Sequence, residues 1–180
     1  MPLAKECNYT SEDYWNLPDG QRAELIEGQL YDMAPPGYIH QKLVMELSAT
    51  IRDHIRKNAG SCEVLPAPFA VNLNADDRTY VEPDISVICS RDKITEKGCK
   101  GAPDVIIEVV SPGSQRMDYQ IKLFKYRTAG VREYWIVNPA TKTVTVYGFE
   151  RDEHSGQYTF KDQIPMSVFP GLYICIADLL

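Results

Sequence analysis

Apolar residues follow a helical period in two parts of the chain. The clearest helix is predicted over about 40–57, and its apolar residues share one face: Leu43, Val44, Leu47, Ile51 and Ile55. A second helix is predicted over about 116–129, ending at Gly130, a residue typical of helix C-caps. A short helix is predicted to begin near Thr10.

Short β-branched runs between loop-forming residues predict the strands. Two of these runs, 80–88 and 103–110, each carry an acidic residue, and a polar loop is predicted between them over 90–102. The remaining extended segments are predicted at 24–33 (two short strands around Gly28), 64–73, 133–137, 143–147, 158–160 and 172–176. This order predicts one α/β domain over 1–180, with a core at about 24–150 and a mixed central sheet flanked by helices.

The acids in the two buried runs are Asp84, which follows Pro83, and Glu108, which has apolar neighbours on both sides. Two ionised carboxylates about 4 Å apart repel by roughly 4 kcal/mol at an effective dielectric of 20. If they converge, a divalent cation or a shared proton must hold them. This pattern favours a metal-dependent hydrolase. Glu82 lies two residues before Asp84 on the same strand face, and it competes with Asp84 for the role.

Three further polar residues are candidates for the site, each with a plainer interpretation. Lys122 lies between Asp118 and Tyr126 on one helix face, which is also the spacing of a surface ion pair. Glu27 precedes Gly28, so it is either a third acid or an exposed hairpin tip. His40 opens the long helix, either facing a phosphate or capping the helix at the surface.

Net charge, cysteine usage and apolar run length limit the classes of function that the chain can have. The formal charge is −6, so any contact with nucleic acid must be local; the predicted basic surface comprises Arg91, Lys93, Lys97, Lys100, Arg116 and Lys125. Five scattered cysteines without a C-x-x-C pair predict reduced thiols in a cytoplasmic protein. Residues 1–8 have no apolar signal core, and no apolar run is long enough for a membrane span.

Pro83-Asp84 followed by Glu108-Val109-Val110 resembles the motif of the PD-(D/E)XK nuclease superfamily, with its two acids 24 residues apart. A wider set of motifs resembles the Uma-two family of restriction-endonuclease-like proteins. In chain order the motifs are Glu24-Leu-Ile-Glu-Gly28, Met33-Ala-Pro35, His40, Glu82-Pro-Asp84, Ile107-Glu-Val-Val-Ser-Pro112, Asp118-x-x-x-Lys122, Tyr126 and Gly130-Val-x-Glu-Tyr-Trp-Ile-Val137.

The resemblance implies a restriction-endonuclease-like core of helix, three strands, helix and strand, with an N-terminal hairpin and extra C-terminal strands. It implies a magnesium-dependent endonuclease acting on DNA, with Mn²⁺ as a substitute, and a homodimer if both strands are cut. The implied metal ligands are Asp84, Glu108 and the carbonyl of Val109. The other implied catalytic residues are Glu27, His40 and Lys122.

One departure from the superfamily motif leaves alternatives open. Its lysine normally stands two residues after the second acid, where this chain has Val110, so Lys122 on the helix is expected to replace it. A degenerate nuclease fold that serves as a binding or assembly module is therefore a second hypothesis. A glycosidase that uses Asp84 and Glu108 as acid and base is a third.

Overall fold

The computed structural model describes residues 8–180. Most of the N-terminal stretch in which no signal core was predicted, residues 1–7, lies outside this range. Within it, no helix is long and apolar enough to cross a membrane. The helices are α1 (Ser11–Trp15), α2 (Tyr38–Lys57) and α3 (Leu123–Ala129), the last preceded by a π-helical segment, Met117–Lys122.

Within residues 8–180, fourteen strands make up the rest of the regular structure, apart from short 3-10 turns. The strands are β1 (Ala23–Ile26), β2 (Gln29–Asp32), β3 (Glu63–Pro66), β4 (Val71–Asn72), β5 (Tyr80–Val81), β6 (Ile85–Ile88), β7 (Ile94–Thr95), β8 (Gly98–Lys100), β9 (Val105–Val109), β10 (Glu133–Asn138), β11 (Thr143–Gly148), β12 (Gly156–Thr159), β13 (Ile164–Pro165) and β14 (Tyr173–Ile174).

The central sheet has the order β12-β11-β10-β9-β6-β3, and it is mixed because β9 and β10 run parallel. A second sheet, β2-β1-β5-β4-β8-β7, includes the predicted N-terminal hairpin, and β13 pairs with β14 apart from both. This architecture confirms the predicted fold class. The hairpin, however, belongs to a larger sheet than the sequence pattern indicates.

The two faces of the central sheet pack against different partners. Because strand residues alternate in direction, one face carries Val105, Ile107 and Val109 of β9 toward the apolar stripe of α2. The other face carries Ile106 and Val110 toward a cluster that includes Tyr126 of α3. This second face also receives apolar side chains of the second sheet, so it lies in the interior between two layers.

The segment 90–102, predicted as a loop, contains strands β7 and β8. Its apolar residues Ile94 and Cys99 pack on the interior cluster. Because the segment carries many charged residues, its sequence does not indicate this burial. Gly98 lies where a Cβ atom would come within 2.1 Å of the Ala70 carbonyl oxygen, and its φ is +135°. Only glycine permits this close approach of the two chain segments.

The prediction of reduced thiols is wrong for two of the cysteines, because Cys62 and Cys89 form a disulfide. Antiparallel pairing of β3 and β6 places Glu63 opposite Ile88, so the next positions outward are Cys62 and Cys89. Cys99 and Cys175 are free, and Cys7 lies outside the described residues. The pairing depends on strand register, which cysteine spacing does not reveal.

Candidate active site

The acids Asp84 and Glu108 lie side by side at one end of the central sheet. In the antiparallel pair of β6 and β9, Ile85 is opposite Ile107, so Asp84 and Glu108 are the next facing positions. The backbone amide of Asp84 donates to Glu108 Oε2 at 3.3 Å. The amide of Val109 donates to Asp84 Oδ2 at 2.7 Å, so the backbone of this residue contacts Asp84. The structure therefore brings the two acids together on one face.

Lys122 points inward and binds the same group of acids. Its Nζ lies 2.9 Å from Glu108 Oε1 and 3.0 Å from Glu24 Oε2, and 3.7 Å from Asp118 Oδ1. Only 6% of its side chain is exposed. The plainer interpretation of a solvated surface pair does not describe this lysine, which is buried among three carboxylates.

The helix that carries Lys122 has a local irregularity that aligns its polar residues. In an α-helix, residues four apart pass a full turn, whereas in the wider π-helix they fall slightly short of one. Asp118 and Lys122 lie in the π-helical segment and Tyr126 in α3, so the two deviations partly cancel. Tyr126 is fully buried and donates from its hydroxyl to Glu108 Oε1 at 2.7 Å.

His40 reaches the same acids from the first turn of α2. Its Nε2 lies 3.1 Å from Asp84 Oδ2, and 15% of its side chain is exposed. Burial lowers the pKa of His40, but the hydrogen bond to Asp84 and its charge outweigh burial, so the pKa is raised above 6.5. The other ring nitrogen, Nδ1, is buried without a hydrogen-bond partner among residues 8–180.

The acids exceed the cations in this cluster. Burial raises the pKa of Glu108 well above its usual value; the Lys122 ammonium opposes the shift, and Asp84, Asp118 and Glu24 add to it. Burial also raises the pKa of Asp118, against the opposing effects of Lys122 and Ser114. For Lys122 itself, burial is outweighed by Glu108, Glu24 and Asp118, and its pKa rises. The cluster therefore favours an additional proton or cation.

Relatives of the chain agree with this architecture. A model of the Uma-two family, described as a putative restriction endonuclease, matches residues 11–177. The chain belongs to the Uma-two family. The uncharacterized protein slr1290 of Synechocystis sp. strain PCC 6803 is 24% identical over 150 residues, which cover 81% of this chain and 77% of that protein.

A solved structure shares the fold of this Uma-two protein. It is described as a putative nuclease belonging to DUF820 from Anabaena variabilis ATCC 29413, and its TM-score is 0.75 at 23% identity. The match covers 94% of this chain and 96% of the other. The family resemblance drawn from the sequence motifs is thus confirmed.

The structure does not bring the predicted acid Glu27 into the cluster of this Uma-two protein. Glu27 and Gly28 form the two-residue turn between β1 and β2, with φ of 51° and 80°, as a type I′ turn requires. A turn tip faces solvent, so 69% of the Glu27 side chain is exposed, and its carboxylate pairs with Lys125. The residue of β1 that does lie in the cluster is Glu24, three positions earlier.

Sequence reasoning missed Glu24 and the interior role of Glu82. Glu24 Oε1 accepts from the amide of Glu82 at 2.9 Å, while its other oxygen holds Lys122. The Glu82 carboxylate turns away, accepting from Tyr14 at 2.8 Å and pairing with Arg22 at 2.6 Å. The signal for Glu24 is its place inside a strand, since a residue there is more enclosed than one beside a turn glycine.

Proposed function

We propose that this Uma-two protein is a magnesium-dependent endonuclease that hydrolyses phosphodiester bonds in DNA. The observation that carries the proposal is the side-by-side placement of Asp84 and Glu108 against the buried ammonium of Lys122. Two acids and a lysine at one sheet end are what the resemblance to the nuclease superfamily implies. The descriptions of the family and of the Anabaena structure, both in nuclease terms, support the same activity.

The donor set suits a hard cation that keeps much of its water. No three His, Cys, Asp or Glu side chains within residues 8–180 form a ready metal cluster. Mg²⁺, however, is commonly bound through one or two carboxylates, with water completing the shell. Asp84 and Glu108 would supply those carboxylates, with the carbonyl of Val109 as the predicted third ligand. Bound there, Mg²⁺ or Mn²⁺ would lower the pKa of a water molecule and offset charge on the phosphate.

The other residues of the cluster orient the two acids and supply positive charge beside them. Lys122 supplies a fixed positive charge beside Glu108, where it would stabilise negative charge developing on the phosphate. Tyr126 donates to the same oxygen and keeps Glu108 in one orientation. His40 contacts Asp84 through Nε2, and it would hold that acid beside the scissile phosphate. Glu24 and Asp118 hold the ammonium from the other side.

The proposal extends to assembly and location. Cutting both strands of a DNA duplex needs two sites, and a two-fold homodimer is the commonest way to provide them. The cytoplasm remains the proposed compartment, although a disulfide such as Cys62–Cys89 is rare there. Light scattering of the purified protein with and without duplex DNA tests the dimer.

A nicking assay with supercoiled DNA tests the activity. We expect cleavage with Mg²⁺ or Mn²⁺ and none with chelator. Asp84→Asn should abolish cleavage, together with the rise in melting temperature that Mn²⁺ gives the unmodified protein. The control is Asp53→Asn, an exposed aspartate on α2, which should change neither property. Cleavage that persists in Asp84→Asn would contradict the proposal.

A catalytically degenerate binding or assembly module is the second candidate, favoured by two observations. Val110 stands where the superfamily has its lysine, and an apolar side chain cannot activate water. Lys122 is already engaged by three carboxylates. The module hypothesis predicts no stabilisation by Mn²⁺ and no nicking, so the same pair of measurements decides between the two.

A further inference from the structure

An aromatic cleft lies next to the acid cluster. None of the residues that were given a catalytic or metal-binding role above lines it. It has a volume of about 250 Å³ and lies between α1 and the segment that leads into β1. Its walls include Tyr14, Trp15, Pro18, Asp19, Arg22 and Glu82. This set combines aromatic faces with charged groups, unlike the apolar interior.

Two aromatic residues, Tyr14 and Trp15, line the cleft, and the ring of Tyr80 supports both. Tyr14 and Tyr80 are stacked with ring centroids 5.1 Å apart, and Trp15 lies edge-on to both. Trp15 is 42% exposed although it is a large apolar residue. The ammonium of Lys97 lies 5.5 Å from its ring centroid. An exposed indole held rigidly on two tyrosines, with a cation beside it, is a suitable surface for stacking another ring.

The cleft is joined to the acid cluster through two hydrogen-bonded glutamates. The Tyr14 hydroxyl and Arg22 hold the carboxylate of Glu82, whose amide binds Glu24, and Glu24 holds Lys122. Glu82 also stands two residues before Asp84, a distance of at most about 7 Å along an extended chain. A ligand in the cleft would therefore lie roughly one nucleotide from a phosphate placed at Asp84 and Glu108.

We infer that the aromatic cleft binds an unpaired nucleobase next to the scissile phosphate, so that the substrate is DNA with a base free of the duplex. The inference rests on the proposed nuclease function. At about 250 Å³ the cleft is smaller than most ligand pockets, which are about 300–1,000 Å³, so it has room for one base but not for a base pair. Because Tyr14 and Arg22 already satisfy Glu82, a neutral ring meets less repulsion there than a phosphate.

Net charge gives a second reason to expect stacking. With a formal charge of −6, the chain has little general attraction for the phosphate backbone. Two of the predicted cationic contacts are also engaged within the protein, since Arg91 pairs with Glu63 and Lys125 with Glu27. Stacking of a base on an aromatic side chain does not depend on the phosphate charge. It would therefore supply binding energy that the few free surface cations do not.

Tryptophan fluorescence tests the inference without any cleavage. The chain has two tryptophans, and Trp135 is fully buried while Trp15 is exposed, so a ligand in the cleft changes only the Trp15 emission. The probes are a ten-nucleotide thymidine oligonucleotide, an abasic oligonucleotide of the same length and a blunt-ended duplex of two separate complementary strands, all in chelator. We expect quenching by the first probe, and by neither of the other two at the same concentration.

Matched variants locate the contact. Trp15→Ala should remove the quenching and weaken oligonucleotide binding, measured by anisotropy, by about tenfold. Trp15→Tyr should keep most of the binding, and Lys97→Ala should weaken it more than Lys57→Ala at the far end of α2. If Trp15→Ala does not fold, quenching in the unmodified protein and the Lys97→Ala and Lys57→Ala pair still decide the question.

Each outcome has a defined meaning. Equal quenching by the duplex, or by the abasic strand, would overturn the assignment of an unpaired base. Oligonucleotide binding without any change in Trp15 emission would overturn it too. Quenching by the thymidine strand in a protein that cleaves no DNA would support the cleft and refute the proposed hydrolysis, so the two failures are distinguishable.

Discussion

Two buried glutamates on adjacent strands of the central sheet have very different surroundings. Glu108 in β9 and Glu133 in β10 are 3% and 0% exposed. Glu108 is paired in the parallel register with Ile136, three residues from Glu133, so the two side chains lie on opposite faces. Glu108 faces α3 and Glu133 faces the C-terminal segment.

The hydrogen-bond donors distinguish these two glutamates. Glu133 accepts from the Trp135 indole at 2.7 Å, from the Ser167 hydroxyl at 2.7 Å and from the Val168 amide at 3.0 Å, all neutral groups. Glu108 has the Lys122 ammonium and the Tyr126 hydroxyl on one oxygen, with Asp84 close to the other. Burial alone therefore does not mark a functional acid. We expect a functional acid to be marked instead by an excess of like charge around it.

The largest expected effect in this comparison is on catalysis. Glu108→Gln removes a proposed metal ligand, and we expect DNA cleavage to fall by roughly 10³-fold, the scale of losing one strong electrostatic contact to the reacting group. Glu133→Gln is the matched control, with the same change on the opposite face, and its cleavage rate per folded molecule should be unchanged. Equal losses in both variants would show that the two glutamates do not differ in role.

Removing the resident cation should cost the most stability. Lys122→Met leaves buried carboxylates without their ammonium, and breaking a buried pair in this way costs about 3–5 kcal/mol of unfolding free energy. Urea unfolding at neutral pH measures the change. Lys125→Met, whose partner Glu27 is exposed, should lose within about 1 kcal/mol. If Lys122→Met is as stable as the unmodified protein, the acids do not depend on the ammonium.

A smaller loss of stability is expected on the other face. In Glu133→Gln, one accepting oxygen becomes an amide nitrogen that faces a donor, either the Trp135 indole or the Val168 amide. Facing donors leave buried groups unsatisfied, at a cost of about 1–3 kcal/mol in urea unfolding. We expect Glu108→Gln to lose less, because it also relieves repulsion among the acids. A larger loss in Glu108→Gln would reverse the comparison.

The smallest expected effect is a difference in pH dependence. A carboxyl group whose folded pKa is raised binds a proton more readily when folded, so its contribution to stability falls as pH rises above the usual 4.5. For Glu108 the slope reaches at most about 1.4 kcal/mol per pH unit. His40 adds the same sign, since its stabilisation is lost as pH rises through its raised pKa.

Denaturation curves at a series of pH values test this dependence. Relative to the unmodified protein, the stability of Glu108→Gln should rise as pH increases toward neutral, and the difference between the two should become independent of pH below about 4.5. Melting curves of both proteins in the same buffers provide the measurement. A difference that stays constant with pH would mean that Glu108 does not titrate in the folded protein.

The sequence predicts well those parts of the fold that depend on short-range pattern. The apolar stripe of α2 and the β-branched runs of β6 and β9 are local features. The meeting of Asp84 and Glu108 is implied by the motif resemblance and not by either run alone. Glu24 depends instead on how β1 packs against β5 and the helix that carries Lys122, which no local period encodes. Gly28 favours its neighbour Glu27 as a candidate in the sequence. In the structure, however, this glycine belongs to a turn that exposes Glu27 to solvent.

The rest of the fold depends on contacts between distant segments. Strands β7 and β8 are short and charged, and they exist because β8 pairs with β4 and packs on the interior cluster. The aromatic cleft combines α1 with a strand about 65 residues later, so neither stretch alone indicates it. The predicted catalytic roles of Asp84, Glu108, Lys122 and His40 remain predictions until activity is measured.

The bond between Cys62 and Cys89 has a mechanical consequence for the strand that follows Asp84. Strand β3 is one of the two edge strands of the central sheet, and edge strands are generally among the first to detach. The covalent link closes the intervening chain into a ring, so β3 cannot separate fully from β6 while the link is intact. A thiol reductant would open that ring. Strand β3 could then separate from β6 only a few residues from Asp84.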